Sequence, residues 1–384
     1  MTANSIRERS IYRVLPFALA ALLLPAALLA QSSQIKGEVQ NSEGEVVANA
    51  TLTVLDAEGN VLTQETANRR GKFTIKLDDT TAGQYFIRLE ADGYAPTEHG
   101  FELEPGAALE ATLAILTPQQ MAGNTYNQGY EALQAGNDEL ALELFERASL
   151  LDPSLAQAPM AIAVLLHSQK DFEAAAVAID RVAEIGDPVV QVPPLTVYET
   201  GLRLGRDDLR EEAVERLAGT DAARDAAVLA YNTGVQAVKD GDVEAAEQWF
   251  LEAGEIAPTM HQPYQSLAAL QFNEQKYEAA LPWLEDLLER KPDSHEGLRM
   301  LFFSQASLGN EADAAQVLDR WLEASPEASN ELLQQAEAMF ENDELDRAQQ
   351  LVAPLLAAQP ANAPAHLMMA RIHASSGRID AAKE

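Results

Sequence analysis

The residues that could perform acid–base, nucleophilic or metal chemistry lack the spacings that such chemistry needs. None of the six histidines belongs to an HExxH motif, and His366 and His373, the two nearest each other, have no carboxylate at ligand spacing. The chain has no cysteine, which excludes thiolate catalysis, disulfides and Cys-type zinc sites. Neither a GxSxG motif nor a Walker-type phosphate loop occurs. The sequence therefore predicts a protein that is not an enzyme, with no catalytic residue, cofactor or metal.

One acidic stretch, "KDGDVEAAE", has the composition of a calcium loop. It contains Asp240, Asp242 and Glu244, but no EF-hand pattern follows it. The stretch stands between two helical patterns, where an aspartate side chain commonly accepts a hydrogen bond from the first turn of a helix. We therefore interpret Asp242 as a helix cap.

Charge and composition limit the classes of partner. The formal net charge is −33, from 27 Lys and Arg against 60 Asp and Glu. Nucleic acid and anionic membrane surfaces attract basic proteins, so both are unfavourable partners, and basic proteins or peptides are expected instead. Hydrophobic residues make up 47% of the chain, which is the composition of a folded protein, and 384 residues exceed one ordinary core.

The first 30 residues are typical of a secretory signal peptide. Arg7, Arg9 and Arg13 precede an uncharged apolar run, Val14 to Ala30. The run contains two prolines and is shorter than the roughly 20 residues of a spanning helix. We expect cleavage before Gln31, export to a bacterial periplasm or cell surface, and no integral membrane segment afterwards; a retained anchor is the alternative.

Residues 34–116 alternate between apolar and polar side chains in seven short stretches separated by turns. Alternation with a turn every 8 to 12 residues is typical of a β-sandwich. The predicted core consists of the apolar members of the alternation: Ile35, Val39, Leu52, Val54, Phe73, Ile75, Leu77, Tyr85, Ile87 and Leu89.

The stretches "IKGEV", "ATLTVLD", "GKFTIKL" and "GQYFIRLEADGY" resemble the carboxypeptidase regulatory-like domain, a transthyretin-like sandwich. Gly37, Gly71, Gly83 and the Gly93–Tyr94 pair carry the resemblance, and we interpret these glycines as turn or crowded strand positions. In the metallocarboxypeptidases this domain holds no catalytic residue. The fold is related to starch-binding-like sandwiches, so carbohydrate binding is an alternative function, although residues 34–116 contain no Trp.

Residues 119–384 contain an internal repeat. "YNQGYEALQAGNDELALELFERASLLDP" begins at Tyr126, and a closely similar stretch begins 105 residues later at Tyr231. Pro258, Pro292, Pro326 and Pro360 follow one another at intervals of 34. Two amphipathic helical patterns precede each proline, which indicates stacked helix pairs. The recurring small residues, such as Gly129, Gly234 and Ala246, are expected where the two helices of a pair cross closely.

This pattern resembles the tetratricopeptide repeat family, with about seven to eight repeats, of which the third (189–222) is degenerate and the last is incomplete. The resemblance implies an all-α superhelical solenoid that follows the all-β sandwich in a multidomain chain. It also implies a concave groove, lined by the first helix of each pair, that holds a peptide or a partner helix. The candidate groove residues are Tyr126, Asn127, Tyr130, Tyr231, Asn232, Phe272, Arg299, Phe303, Phe340 and Arg371.

Taken together, these observations predict an exported scaffold or adaptor that binds protein or peptide partners in the groove of the repeats. The groove aromatics have an alternative role, because buried aromatic rings are common between packed helices. The competing function is a cell-envelope carbohydrate-binding sandwich whose repeats recruit a second protein.

Overall fold

A computed structural model describes residues 32–325 and 327–377. Contacts divide the described chain into two compact units, of which the first ends at Val192 and the second begins at Pro193. The predicted signal peptide and the end of the last repeat, residues 378–384, lie outside the described residues. Among the residues described, no helix is long and apolar enough to cross a membrane.

The first unit begins with the β-sandwich. Its seven strands, counted over the described residues, are β1 Ser33–Gln40, β2 Thr51–Leu55, β3 Val61–Thr66, β4 Lys72–Leu77, β5 Gly83–Glu90, β6 Thr97–Leu103 and β7 Ala108–Ala114. One sheet has the order β4-β1-β7 and the other the order β3-β2-β5-β6. Neighbouring strands are antiparallel except β1 and β7, which run parallel. The seven predicted strands and the sandwich are confirmed.

The sandwich has its own core, in which every predicted core residue is buried. Gly37 is required by strand packing, because a Cβ there would lie 1.7 Å from the carbonyl oxygen of Ala111 on β7. At Gly83, however, the prediction of a crowded or turn position is wrong: the backbone is an ordinary strand, and a Cβ would meet nothing within 4 Å.

A histidine joins the two sheets at one edge of the sandwich. His99 on β6 places Nε2 2.7 Å from the carbonyl oxygen of Ala114 at the end of β7. Nearby, the amide of Ala95 donates to the carbonyl of Leu116. The first helix follows at once, because Thr117 and Gln120 form a capping box that begins it at Pro118.

The helices form consecutive pairs. In the first unit they are α1 Pro118–Gln134, α2 Asp138–Leu151, α3 Gln157–Ser168 and α4 Phe172–Ile185. In the second unit the described helices are α5 Pro194–Leu204, α6 Asp207–Leu217, α7 Ala223–Asp240, α8 Val243–Ile256, α9 Gln262–Asn273, α10 Tyr277–Arg290, α11 His295–Ser307, α12 Glu311–Ala324, α13 Ala328–Glu341, α14 Leu345–Ala358 and α15 Ala363–Ser375. The degenerate third repeat is helical, as expected, but its helices α5 and α6 have only 11 residues each.

In two of the described pairs, α1 with α2 and α7 with α8, the helices meet where a glycine faces a phenylalanine. A Cβ on Gly129 of α1 would lie 2.7 Å from the ring of Phe145 on α2, and Gly234 of α7 has the same relation to Phe250 of α8. The predicted small residues of the second helices, from Ala141 to Ala348, are likewise almost fully buried. The recurring small residues therefore serve packing, as predicted.

Polar contacts close the turns between helices. The carboxylate of Asp242 accepts from the amide of Ala245, so its interpretation as a helix cap is confirmed. A second type of turn contact was not predicted from the sequence. Arg181 on α4 donates a hydrogen bond to the carbonyl of Pro153, and Arg290 on α10 donates one to the carbonyl of Pro258. Each arginine therefore holds the turn that precedes its own helix pair.

Replacing each of two glycines of helix α1 by alanine should change the free energy of unfolding in opposite directions. Gly129→Ala forces a methyl group against the buried Phe145 ring and should lower the free energy of unfolding by about 1–3 kcal/mol. Gly123→Ala meets nothing within 4 Å and should raise it by about 0.5–1 kcal/mol, because alanine favours a helix. Urea unfolding measures both, and equal shifts of the same sign would contradict the proposed helix contact.

The sandwich should lose stability as the pH falls below neutrality. Burial lowers the pKa of His99 below its usual value of 6.5, although the Ala114 carbonyl partly opposes that shift. Below pH 6.5, His99 is therefore protonated more readily in the unfolded chain than in the folded chain. The free energy of unfolding falls by at most about 1.4 kcal/mol per pH unit as a result.

His99→Gln keeps a side-chain donor near Ala114 but removes the titration. Between neutral and mildly acidic pH, the free energy of unfolding should therefore fall less for His99→Gln than for the parent. A titration by NMR in which His99 has a pKa above 6.5 would contradict this assignment.

Candidate functional site

The candidate groove residues of the second unit lie on the first helices of successive pairs, α7, α9, α11, α13 and α15. We call the side chains that α9, α11, α13 and α15 present at the predicted groove positions the first-helix face. Phe303, Glu337 and Arg371 occupy the same position of three successive repeats, 34 residues apart. The repeat period therefore brings these side chains into one row along the face.

Arg299 of α11 is held between a carboxylate and an aromatic ring. Its guanidinium donates to both oxygens of Glu296, at 3.0 and 2.5 Å, and lies 5.8 Å from the ring centre of Phe272 on α9. The neighbouring guanidinium lowers the pKa of the Glu296 carboxyl, and Glu296 in turn raises the pKa of Arg299. Two candidate residues from neighbouring repeats, Phe272 and Arg299, therefore lie together.

The same combination recurs further along the first-helix face. Arg371 of α15 makes a bidentate contact with Glu337 of α13, with one nitrogen 2.6 Å from Oε1, and lies 4.7 Å from the ring centre of Phe340. This ion pair joins two neighbouring repeats. Because both side chains are more than one-third exposed, we attribute to it a role in ordering the face and little net stability.

The other aromatics of the second unit combine packing with partial exposure. Tyr231 packs against Phe250, with ring centres 5.4 Å apart, and belongs to the contact within its own helix pair. Phe303 lies against Phe302 and Trp321 and is half-buried. Asn232 is exposed. Tyr231, Phe272, Phe303 and Phe340 are all half-buried, and each packs against a core cluster while part of the residue stays accessible.

The first unit holds the remaining three candidates, all on α1. Tyr126 packs against Phe145 at 5.4 Å, as Tyr231 does against Phe250, and burial raises its pKa. Asn127 is exposed, and Tyr130 has 51% of its surface exposed. Among the three, Tyr130 therefore presents the largest aromatic surface for binding.

A contact of one histidine with a tryptophan and a glutamate, in the second unit, was missed by the sequence analysis. The indole nitrogen of Trp321 donates to Nδ1 of His295 at 3.1 Å, so Nε2 of His295 carries the hydrogen and faces Glu331 at 3.0 Å. These residues come from α12, α11 and α13. This contact joins three helices of two repeats. The pattern of small and large residues along the sequence does not predict it, because that pattern reports only the contact between the two helices of one pair.

A second polar network anchors the degenerate repeat within the second unit. Tyr198 of α5 is fully buried and donates its hydroxyl to Glu252 of α8 at 2.6 Å, and burial together with that carboxylate raises its pKa far above 10. Arg210 of α6 donates to the same carboxylate at 3.1 Å and lies 4.4 Å from the ring centre of Trp249. The carboxylate thus joins the short helices to α8.

The first-helix face presents half-buried aromatic rings beside ion-paired arginines and carboxylates. The arginines of the first-helix face already bind carboxylates of their own chain, so the face does not offer paired free cations to a carboxylate-terminated tail. Within residues 32–325 and 327–377, no group of three acidic or histidine side chains could hold a metal ion. Its accessible aromatic rings and carboxylates suit apolar and hydrogen-bonded contacts.

Two families match the sequence. The carboxypeptidase regulatory-like domain matches residues 34–116. Tetratricopeptide repeats match residues 126–189, 266–329 and 339–384. Such repeats are in general non-catalytic scaffolds for protein interaction, and the matches support that general role here. No curated protein matches the chain.

Several solved repeat proteins resemble the chain at low identity. Pseudomonas aeruginosa PilF is 18% identical, covers 65% of this chain and 96% of its own, and has a TM-score of 0.28. The TPR2AB domain of yeast Sti1, solved in a complex with pHSP90, is 15% identical, with coverages of 60% and 98% and a TM-score of 0.27. The C-terminal part of a Cytophaga hutchinsonii repeat protein is 16% identical, with coverages of 62% and 97% and a TM-score of 0.32.

Because these TM-scores are low, the family matches and not these structures identify the repeats. The matches agree with the strands β1–β7 and with the helix pairs described above. The chain therefore carries a carboxypeptidase regulatory-like domain at its N-terminus and tetratricopeptide repeats in its C-terminal part.

Proposed function

We propose that this protein is an exported, non-catalytic scaffold whose first-helix face binds an extended segment of a partner protein. The observation that carries the proposal is that three successive first helices, α9, α11 and α13, each carry one partly exposed aromatic ring: Phe272 and Phe340 share a repeat position, and Phe303 lies at a position three residues earlier. Aromatic anchors that become buried on binding commonly supply most of the affinity of an interface. A face that repeats such rings along its length suits a partner that lies across several repeats.

The charges of the face favour a basic partner. Glu296, Glu331, Glu337 and Glu341 belong to α11 and α13, whereas the basic side chains among the groove candidates are Arg299 and Arg371, each paired with one of these carboxylates. Residues 118–384 carry a net charge of −27. Such a field raises the association rate of a basic segment, while the aromatic contacts set its dissociation rate.

Carbohydrate binding has weaker support. In the sandwich Phe73 and Tyr85 are buried in the core, and the half-buried Tyr94 and Phe101 pack against it; unlike the rings of the first-helix face, they do not recur along a repeat. Residues 34–116 contain no tryptophan. We therefore place binding on the helical repeats.

Removal of one accessible ring should weaken partner binding without unfolding the protein. A displayed peptide library selected on the intact chain supplies the probe, and the selected peptides should combine an apolar residue with Lys or Arg. Phe340→Ala should weaken binding by about 1–2 kcal/mol, mainly through a faster off-rate.

Leu251→Ala is the matched control, because Leu251 is an apolar residue of a second helix, α8, with 41% of its surface exposed. It should leave binding unchanged. Phe340→Ala should melt below the parent, because Phe340 packs partly against the core, but both variants should remain folded at the temperature of the binding measurement. If folded Phe340→Ala binds as the parent does, or if Leu251→Ala weakens binding equally, the first-helix face is not the binding surface.

Export rests on the basic and apolar pattern of residues 1–30. We expect the mature protein to begin near Gln31, because the signal peptidase cleaves after the apolar run that ends at Ala30. N-terminal sequencing of the protein from an expressing bacterium measures the cleavage point. A mature chain that still contains Arg7 to Arg13 would mean a retained anchor.

A further inference from the structure

A basic row lies on one edge of the sandwich, although the whole chain has a net charge of −33. Residues 31–117 contain six Lys and Arg. Five of them are exposed residues of β1, of β4 or of the turn before β4: Lys36, Arg69, Arg70, Lys72 and Lys76. The sixth, Arg88, lies on the other sheet and pairs with Glu98. The uncompensated positive charge of the domain is thus collected in one place.

The charge of this sheet changes from strand to strand. On the outer face, β4 presents Lys72, Thr74 and Lys76, β1 presents Glu38 opposite Lys72 and Lys36 opposite Thr74, and β7 presents Glu110 opposite Lys36. Among the described residues, none of the five basic side chains forms an ion pair. Glu38 and Glu110 therefore offset part of the charge on the β1 side of the sheet, whereas Lys76 lies opposite the uncharged Gln34, and the basic row remains along the β4 edge.

The same strand has an unpaired backbone edge. Strand β4 stands at the end of the order β4-β1-β7. The backbone N–H and C=O of Lys72 point away from β1 and form hydrogen bonds with Asn68. In an antiparallel pair, every second residue of an edge strand points its backbone groups away from the neighbouring strand. The N–H and C=O of Thr74 and Lys76 therefore also point away from β1. Within the part of the chain that the structure describes, these groups of Thr74 and Lys76 have no partner.

We propose that the edge of β4 binds an extended acidic polypeptide segment of a partner, which adds as a further strand and places carboxylates opposite Lys72 and Lys76. Edge addition uses backbone hydrogen bonds for affinity and alternate side chains for specificity. Lys72 and Lys76 lie about 13 Å apart along the strand, so acidic residues four positions apart match them. The proposal is independent of the first-helix face.

The geometry favours an acidic strand over other occupants. A second copy of β4 would bring like charges together, and lysines on edge strands are a known obstacle to such self-pairing. A planar anionic membrane would meet the carboxylates of β1 and β7 as well as the row, and a polyanion without a peptide backbone would leave the edge groups of Thr74 and Lys76 unpaired. Charges more than about 8 Å from the edge are largely screened at physiological ionic strength.

The test uses the intact chain and a fluorescent peptide that alternates threonine and glutamate. At physiological ionic strength, the Lys72→Glu/Lys76→Glu variant should bind this peptide about tenfold more weakly than the parent, because two cross-strand ion pairs become repulsive. Lys239→Glu/Lys291→Glu makes the same change of net charge at exposed residues of the second unit and should bind as the parent does. Both charge variants should melt near the parent.

A peptide with N-methyl groups at alternate residues keeps its carboxylates but cannot pair along one edge, and it should bind much more weakly than the unmodified peptide. Equal binding by the two peptides, or by parent and Lys72→Glu/Lys76→Glu, would overturn the proposal. Tighter lysine-dependent binding to phosphatidylglycerol vesicles would assign the row to a membrane surface instead. Self-association that requires Lys72 and Lys76 would assign it to a second copy.

Discussion

The helical part of this protein depends on one contact, in which a small residue of one helix receives a large side chain of the next. Gly129 and Gly234 leave room for the rings of Phe145 and Phe250 at distances that no Cβ would tolerate. Along the later repeats the same first-helix position is Ala268, Phe302 and Ala336, so the small residue recurs except in α11. There the fully buried Phe302 packs against Trp321 of α12, with ring centres 5.9 Å apart, and this helix pair fills the contact with aromatic rings instead.

This close contact determines which side chains of a first helix remain on the first-helix face. Once the small residues of a first helix turn toward its partner helix, the opposite side of that helix carries the longer residues. In the second unit these are the rings and arginines of the first-helix face, and the arginines are ordered by Glu296 and Glu337. The pairing removes the arginines as free cations but fixes their positions beside Phe272 and Phe340, so the face is preorganised in shape.

The net charge of the whole chain does not describe the local charge of a surface the size of a binding site. The value of −33 led to the expectation of basic partners, and the excess of carboxylates on α11 and α13 agrees with that expectation for the helical face. The sandwich has a net charge of −8 and yet collects five basic side chains along β4 and its neighbours. Salt screens the electrostatic field of each surface over a short distance, so one protein can have one surface that favours basic partners and another that favours acidic partners.

The sequence by itself determined the seven strands, the sandwich core, the helix pairs and the caps such as Asp242, because these depend on local periodicity and on residues whose size or backbone allows few alternatives. It also placed Tyr126 and Tyr231 on first helices, but not that both rings pack within their own pair, since helical periodicity alone does not say how deeply a ring is buried. The pairing of Glu337 with Arg371 was accessible from their spacing of 34 residues.

Only the tertiary structure decided contacts that join elements without a fixed spacing. These include Trp321 with His295, Tyr198 and Arg210 with Glu252, and the basic row along β4. The physical reason is that each depends on which elements become neighbours and at what rotation. Packing of the whole unit sets both, and no periodicity of a single element contains them.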